Sequence, residues 1–389
     1  MKPVRLLLLP VLLSCAGRQG TGDVGPAGSI DPVVEQARAV LVAKHPEGAR
    51  LAKVTIPAGS RSSGIEALLA ALGDRSTRLL SAQAWPAFLA EISDQATTGV
   101  GLRELLDVDY SADGRVVVIT TQPGGPAARA GLVPGDVIER VDGEAALGLG
   151  ETMARLRGAA GTEVGVELQR GEERRIVTLR REALPPAEDH VRSGTLEGGI
   201  VHLAIDGFSN DTAAAAEKAL VRGADRGVVL DLRNNPGGAV DAALAVAGLF
   251  LGERDVMRSA GKLEKPVLRS QGTARVRARV AVLLNAGTAS AAELLAAALH
   301  DTGGARLFGE STAGKALVHL PAPLDDGSVL LISVGRVVRL DGTEILARGL
   351  TPDERVSWPD SVHPPLPVPG KSADDAQLRA ALRWVSAGR

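Results

Sequence analysis

Ser290 follows the turn Asn285-Ala286-Gly287-Thr288-Ala289 and precedes Ala291-Ala292-Glu293, the start of an Ala/Leu-rich run. A serine between a strand and a helix can project its hydroxyl from the turn. There it lies beside the unpaired N–H groups and positive dipole end of the helix. That arrangement suits attack on a carbonyl, with the oxyanion forming near the helix end. A serine at this place is equally an ordinary N-cap. Lys315 lies 25 residues later (315 − 290), in Gly314-Lys315 after a short strand expected over 306–308. A lysine is normally a solvated surface charge. In an apolar, glycine-rich pocket it loses its water shell, and with it the proton, and can serve as a general base. Ser-Lys pairs are one form of the activated hydroxyl nucleophile. A third block, Asp231-Leu232-Arg233-Asn234-Asn235-Pro236-Gly237-Gly238, falls between an apolar strand and a helix. The N–H of Gly237 or Gly238, with that of Ala291, would form an oxyanion hole. A plain tight turn is the other reading of that block.

The elements that must position these residues alternate. Strands are expected at 199–205, 228–232 and 280–284, and helices at 211–221, 239–251 and 290–300. Strands continue over 328–340 and a helix over 374–385 closes the chain. This is the pattern of an α/β layer with parallel strands. Residues 30–94 carry helical periodicity at 30–44, 64–72 and 85–92. From residue 97 the pattern changes to short apolar strands, at 116–119 and 137–141, with Gly-Asp and Asp-Gly turns.

The segment Gly99-Val100-Gly101-Leu102, followed by Ala130-Gly131-Leu132-Val133-Pro134-Gly135-Asp136-Val137-Ile138, resembles a PDZ domain of the kind attached to bacterial proteases. Such a domain takes an extended chain terminus as an added strand, with loop N–H groups holding the carboxylate. Glycines let those N–H groups converge without side-chain obstruction.

Together the three blocks and their spacing resemble the carboxy-terminal processing, or tail-specific, proteases of serine peptidase family S41. Asp74-Arg75-Ser76-Thr77-Arg78 and 347–353 resemble two further family blocks. The resemblance implies Ser290 as nucleophile, Lys315 as base, and Gly237, Gly238 and Ala291 around the oxyanion. It implies an orienting or structural role for Asp301. The family carries glutamine four residues after its lysine; here His319 stands there. A neutral imidazole accepts a hydrogen bond as an amide oxygen does, so His319 is expected to orient Lys315. The architecture implied is an α/β (α+β multidomain) chain: a helical N-terminal region at 30–96, a β-barrel-like PDZ domain at 97–182, and an S41 protease core of Clp-protease/crotonase-like layers at 183–389. Two other readings remain. One is a catalytically weak or inactive S41-like scaffold that binds envelope proteins through its PDZ domain. The other is a Ser-His branch using His319 as base.

The composition narrows the partners. A formal net charge of −2 and 2% aromatic residues give no surface for nucleic acid. No His/Cys spacing suits a metal, and no glycine pattern suits a nucleotide, so no cofactor is expected. The partners expected are protein or peptide substrates with accessible C-terminal tails and an adaptor protein that delivers them. Lys2 and Arg5 precede the apolar run 6–13, which ends Leu12-Leu13-Ser14-Cys15. This resembles the bacterial lipobox. It implies a signal peptide at 1–14, lipidation of Cys15, a Gly-rich tether at 15–29, and anchoring to a membrane of the cell envelope. An ordinary secretory signal with an incidental cysteine is the alternative.

Overall fold

The strand Val228–Asp231 is buried along its whole length, as a strand covered on both faces must be. In the computed structural model it lies inside a six-stranded sheet ordered Val191–Thr195, Val201–Ile205, Val228–Asp231, Val280–Leu284, Arg306–Gly309 and Glu354–Arg355. The first pair is antiparallel; the others are parallel. The structure describes residues 30–387 except 57–59, 75, 93–96, 104–106, 111–114, 123, 185–189, 222–224, 263–266, 347 and 358–374. The expected signal peptide, Cys15 and the tether lie outside the described residues.

The crossover helices follow the expected alternation: Thr212–Leu220, Val240–Leu251 and Ala291–Gly303. The last of these is almost wholly buried from Ala291 to Leu299. Its alanines let it lie deep in the layer without overfilling it. The closing helix Ala376–Ser386 packs Leu378, Ala381 and Val385 against Val229, Leu283 and Phe308. Its N-cap Asp375 accepts from Leu378 N at 2.8 Å.

Residues 97–184 form a second sheet system. Five strands run in the order Val108–Tyr110, Val116–Val118, Val137–Val141, Glu163–Arg170 and Glu173–Arg180, with Glu144–Ala145 paired on Val137–Val141. The helices Pro126–Arg129 and Leu149–Leu156 accompany them. Thr97–Gly99 pairs antiparallel with Glu182–Leu184, so the segment enters and leaves through adjacent strands.

The chain divides into two compact units. The larger, Phe88–Arg258 with Val267–Ala316 and Val337–Arg389, contains the two sheet systems above. The smaller, to Ala87, also takes Ser259–Pro266 and Leu317–Arg336. In it the helices Pro32–Lys44 and Arg61–Leu72 bury Val34, Leu41 and Leu68 against Leu330 and Ile332. Those last two lie on the strand Val329–Arg339, which is paired with Leu317–Pro323 and Arg78–Leu80. The helical region read at 30–96 therefore shares its core with a hairpin more than 200 residues downstream. Neither part has enough apolar surface of its own for a stable core.

A buried ionic network underlies the loop after Val228–Asp231. Arg233 donates to both Asp231 oxygens, at 2.9 and 2.6 Å, to Asp375 at 2.7 Å and to Gln377 at 3.1 Å. His202 Nε2 lies 3.1 Å from Asp231. Burial alone would raise the Asp231 carboxyl. The Arg233 guanidinium and His202 outweigh it and hold it well below the usual carboxylate range. Removing the cation strands a buried carboxylate, so Arg233→Met should lower stability by about 3–5 kcal/mol, read as a fall in the urea midpoint. Because the folded value is depressed, the Asp231 contribution is complete above roughly pH 4 and fades as pH falls toward the folded value. The acid limb of the wild-type stability curve should accordingly be steeper than that of the variant. Equal midpoints would show that the network carries no net stability.

Candidate active site

Three loops at the C-terminal ends of the parallel strands are bonded to one another. Asn234 N donates to Asn285 Oδ1 at 2.9 Å, and Asn285 Nδ2 to Asn234 Oδ1 at 2.8 Å. Thr288 Oγ1 donates to Leu232 O at 2.8 Å, and Ala289 N to Asn235 O at 2.9 Å. Ala313 N donates to Thr288 O at 3.0 Å, which joins the third loop. Crevices at the carboxyl ends of parallel strands are where α/β sheets place their sites.

Ser290 stands at the N-cap of Ala291–Gly303 with φ 54 and ψ −121. This backbone is uncommon for a residue with a Cβ and costs of order 1–3 kcal/mol. Strained strand-to-helix turns of this kind lift a nucleophile out of the surface. Gly237, at φ 107, is needed beside it. A Cβ there would fall 2.7 Å from Ser290 Cβ and 3.0 Å from Ala291 N.

Glu293 ties Ser290 to Lys315. It is wholly buried. One of its oxygens, Oε2, accepts from Ser290 N at 3.0 Å and Lys315 N at 2.8 Å. The other accepts from Gly314 N at 2.8 Å and from Thr312 Oγ1. Burial pushes the Glu293 carboxyl above its ordinary value, and the hydrogen bonds from Thr312, Lys315, Gly314 and Ser290 offset only part of that. Thr312 is held in turn by Leu350: its N donates to Leu350 O, and its Oγ1 accepts from Leu350 N. Gly349 permits that approach, since a Cβ would lie 2.3 Å from Thr312 O.

One of the three expected oxyanion donors is engaged by a neighbouring side chain. Gly237 N is turned onto Asn235 Oδ1 at 2.8 Å. Gly238 is bridged in parallel to Phe208, whose N and O bond Gly237 O and Ala239 N. In such a bridge the N–H of Gly238 itself points away from Phe208. Of the expected donors, Gly237 is thus the one whose N–H is already taken.

Lys315 Nζ lies 2.9 Å from Asp109 Oδ2, with side-chain exposures of 12% and 11%. Asp109 belongs to Val108–Tyr110 of the second sheet system. Beside it, Val117 and Ile119 pack on Ala289 and Ala313. Neither Asp109 nor Glu293 was singled out from the sequence. A glutamate three residues after a serine is the capping-box signal that could have found Glu293. An aspartate in an apolar strand gives no comparable signal.

The other expected residues have definite places. Asp301 accepts from Arg339 Nε at 2.7 Å and pairs with His300. It lies about 16 Å along the helix from Ser290. His319 lies in Leu317–Pro323, in the smaller compact unit, with Nε2 3.3 Å from Ser333 Oγ. Gly99, Val100, Gly101 and Leu102 line a narrow groove with Arg103, Gln122, Met153 and Leu156. Gln122 N and Ala127 N bond Gly101 O and Val100 O at 3.0 and 2.8 Å. Among the described residues, no helix is long and apolar enough to cross a membrane.

Residues 199–356 match the model of Peptidase family S41, and residues 117–170 that of a PDZ domain. The chain is 34% identical over 256 residues to the carboxy-terminal processing protease CtpA of Bacillus subtilis, covering 64% of this chain and 54% of that protein. It is 34% identical over 259 residues to a CtpA-like serine protease of Staphylococcus aureus, covering 63% and 51%. The chain thus spans about half the length of these curated relatives. Among solved structures, a photosystem II D1 C-terminal processing protease superposes with a TM-score of 0.75 at 28% identity, covering 91% of this chain and 96% of that one.

All four groups around Glu293 are donors, and a glutamine would turn an N–H₂ toward two of them. Glu293→Gln should therefore lower stability by about 1–3 kcal/mol in urea unfolding. A midpoint unchanged from wild type would contradict the four-donor arrangement.

Proposed function

We propose, on the match of residues 199–356 to the model of Peptidase family S41, that the chain is a serine endopeptidase that cuts proteins held by their C-terminal tails. The observation that carries this reading is the single Glu293 oxygen bonded to both Ser290 N and Lys315 N. It ties the backbones of Ser290 and Lys315 to one acceptor, which supports their acting as a pair.

In the proposed reaction the neutral amine of Lys315 takes the Ser290 hydroxyl proton as Oγ attacks the scissile carbonyl carbon. The carbonyl oxygen becomes an oxyanion facing the N–H groups of Gly238 and Ala291. The lysine returns its proton to the leaving amine, the C–N bond breaks, and an acyl-serine remains. Lys315 then takes a proton from water, which attacks the ester, and Ser290 recovers its proton as the carboxylic product leaves. His319 is assigned the orienting role of the family glutamine, and Asp301 a structural one.

The groove at Gly99–Leu102 is assigned to the substrate's terminal carboxylate, with the tail running on as an added strand. Signal-directed export and lipidation at Cys15 would place the enzyme on a membrane in the cell envelope.

The test is hydrolysis of β-casein, an unstructured protein, by wild type and variants. Ser290→Ala and Lys315→Ala should each reduce turnover by about 10³-fold or more. His319→Gln should stay active. Wild type no faster than Ser290→Ala would remove the enzymatic reading and leave only peptide docking.

A further inference from the structure

The strand Glu173–Arg180 is the last of its sheet. It pairs with Glu163–Arg170 through eight consecutive partners and no register shift. Among the described residues, no strand lies on its other side. An unpaired edge is a template for another chain, and folds guard theirs with short strands, prolines or bulges. Other edges of this protein carry those guards. Val108–Tyr110 and Val267–Arg269 have three residues each, and Glu354–Arg355 has two. Leu317–Pro323 contains Pro321 and Pro323 and a register shift. Glu173–Arg180 has none of these, and Ile176 stands on it 77% exposed.

Two backbone bonds fix which groups point out of this edge. Arg181 N donates to Thr162 O at 2.8 Å, so the odd-numbered residues of the strand bond inward, toward Glu163–Arg170. Asp142 N donates to Gly165 O at 2.8 Å. That turns the odd-numbered residues of Glu163–Arg170 away and leaves Val164, Val166 and Leu168 facing Leu179, Val177 and Arg175, in agreement. The N–H and C=O groups of Arg174, Ile176, Thr178 and Arg180 therefore point out of the sheet edge. The side chains of the same four residues are exposed.

A second copy of this strand fits the edge. Two antiparallel strands related by a two-fold axis continue one sheet only when residues of the same parity oppose each other. Charge then selects the register, because like charges directly opposite are destabilising. An axis at Arg175 sets that residue against itself, and an axis at Val177 sets Arg174 against Arg180 at both ends. An axis at Thr178 sets the apolar Ile176 against Arg180. An axis at Ile176 sets the isoleucines of the two copies together, Arg174 against Thr178, and Glu172 against Arg180 at both ends. We propose that Glu173–Arg180 pairs antiparallel with the same strand of a second copy, about a two-fold axis at Ile176, and so forms a homodimer through a continuous sheet. Residues 172–180 do not line the Gly99–Leu102 groove, so the pairing uses none of the groove residues of either copy.

Sedimentation velocity of the full chain at about 50 μM, well above a micromolar Kd, tests this. Wild type should sediment as a dimer. Glu172→Arg and Arg180→Glu each place like charges at both ends and should weaken the dimer about tenfold or more. The double variant Glu172→Arg/Arg180→Glu restores opposite charges and should regain wild-type affinity, which a folding defect could not produce. Ile176→Lys, which sets two ammonium groups on the axis, should also weaken the dimer about tenfold or more. Thr178→Pro removes only an outward N–H, the position where an edge strand tolerates proline, and should leave a folded monomer. A wild-type monomer at this concentration overturns the proposal. So does a dimer unmoved by Ile176→Lys, or a double charge variant as weak as the single ones.

Discussion

One carboxylate oxygen, Glu293 Oε2, receives the backbone N–H groups of both Ser290 and Lys315. Everything else in the site follows from that shared acceptor. It holds two loops from separate strand ends at a fixed spacing, and it does so from a fully buried position. A buried carboxylate is costly unless its oxygens are filled with donors. Here four donors fill them, from Ser290, Thr312, Gly314 and Lys315. Charge burial and site assembly are thus one constraint. The loops cannot separate without leaving an unsatisfied anion in the core.

The same logic recurs one layer below. Asp231 and Arg233, at the root of the loop that carries Gly237 and Gly238, are closed off by Asp375 and Gln377 at the start of the terminal helix. The loop therefore gains its rigidity from two ends of the α/β body at once. Rigid support under a strained turn is what allows Ser290 to keep its positive φ. The strain is local, and the network that sustains it is spread over elements far apart in the chain.

Much of this was legible in the sequence wherever the information is local. The strand–helix alternation, the glycine loop at 99–102 and the three blocks each occupy a short stretch with its own periodicity or turn chemistry. Ser290, Lys315, Gly237 and Gly238 could be singled out for that reason. What stayed hidden depends on distant partners. Gly237 looked like a donor until the side chain of Asn235, two residues before it, took its N–H. The hairpin 317–336 reads as part of the α/β run, yet its apolar face completes the core of the N-terminal helices. Asp109 is a single acid within an apolar strand, and its counter-ion lies 206 residues away (315 − 109). No spacing rule reaches that far.

The pairing of Thr97–Gly99 with Glu182–Leu184 has a further meaning for how such a chain could diversify. A stretch whose first and last strands lie side by side behaves as a cassette: it can be lifted out or exchanged with little rerouting of the polypeptide on either side. Its replacement by a foreign module would exchange the groove at Gly99–Leu102. It would also delete Asp109, which faces Lys315, so that groove and that ion pair would be inherited, or lost, as one genetic unit.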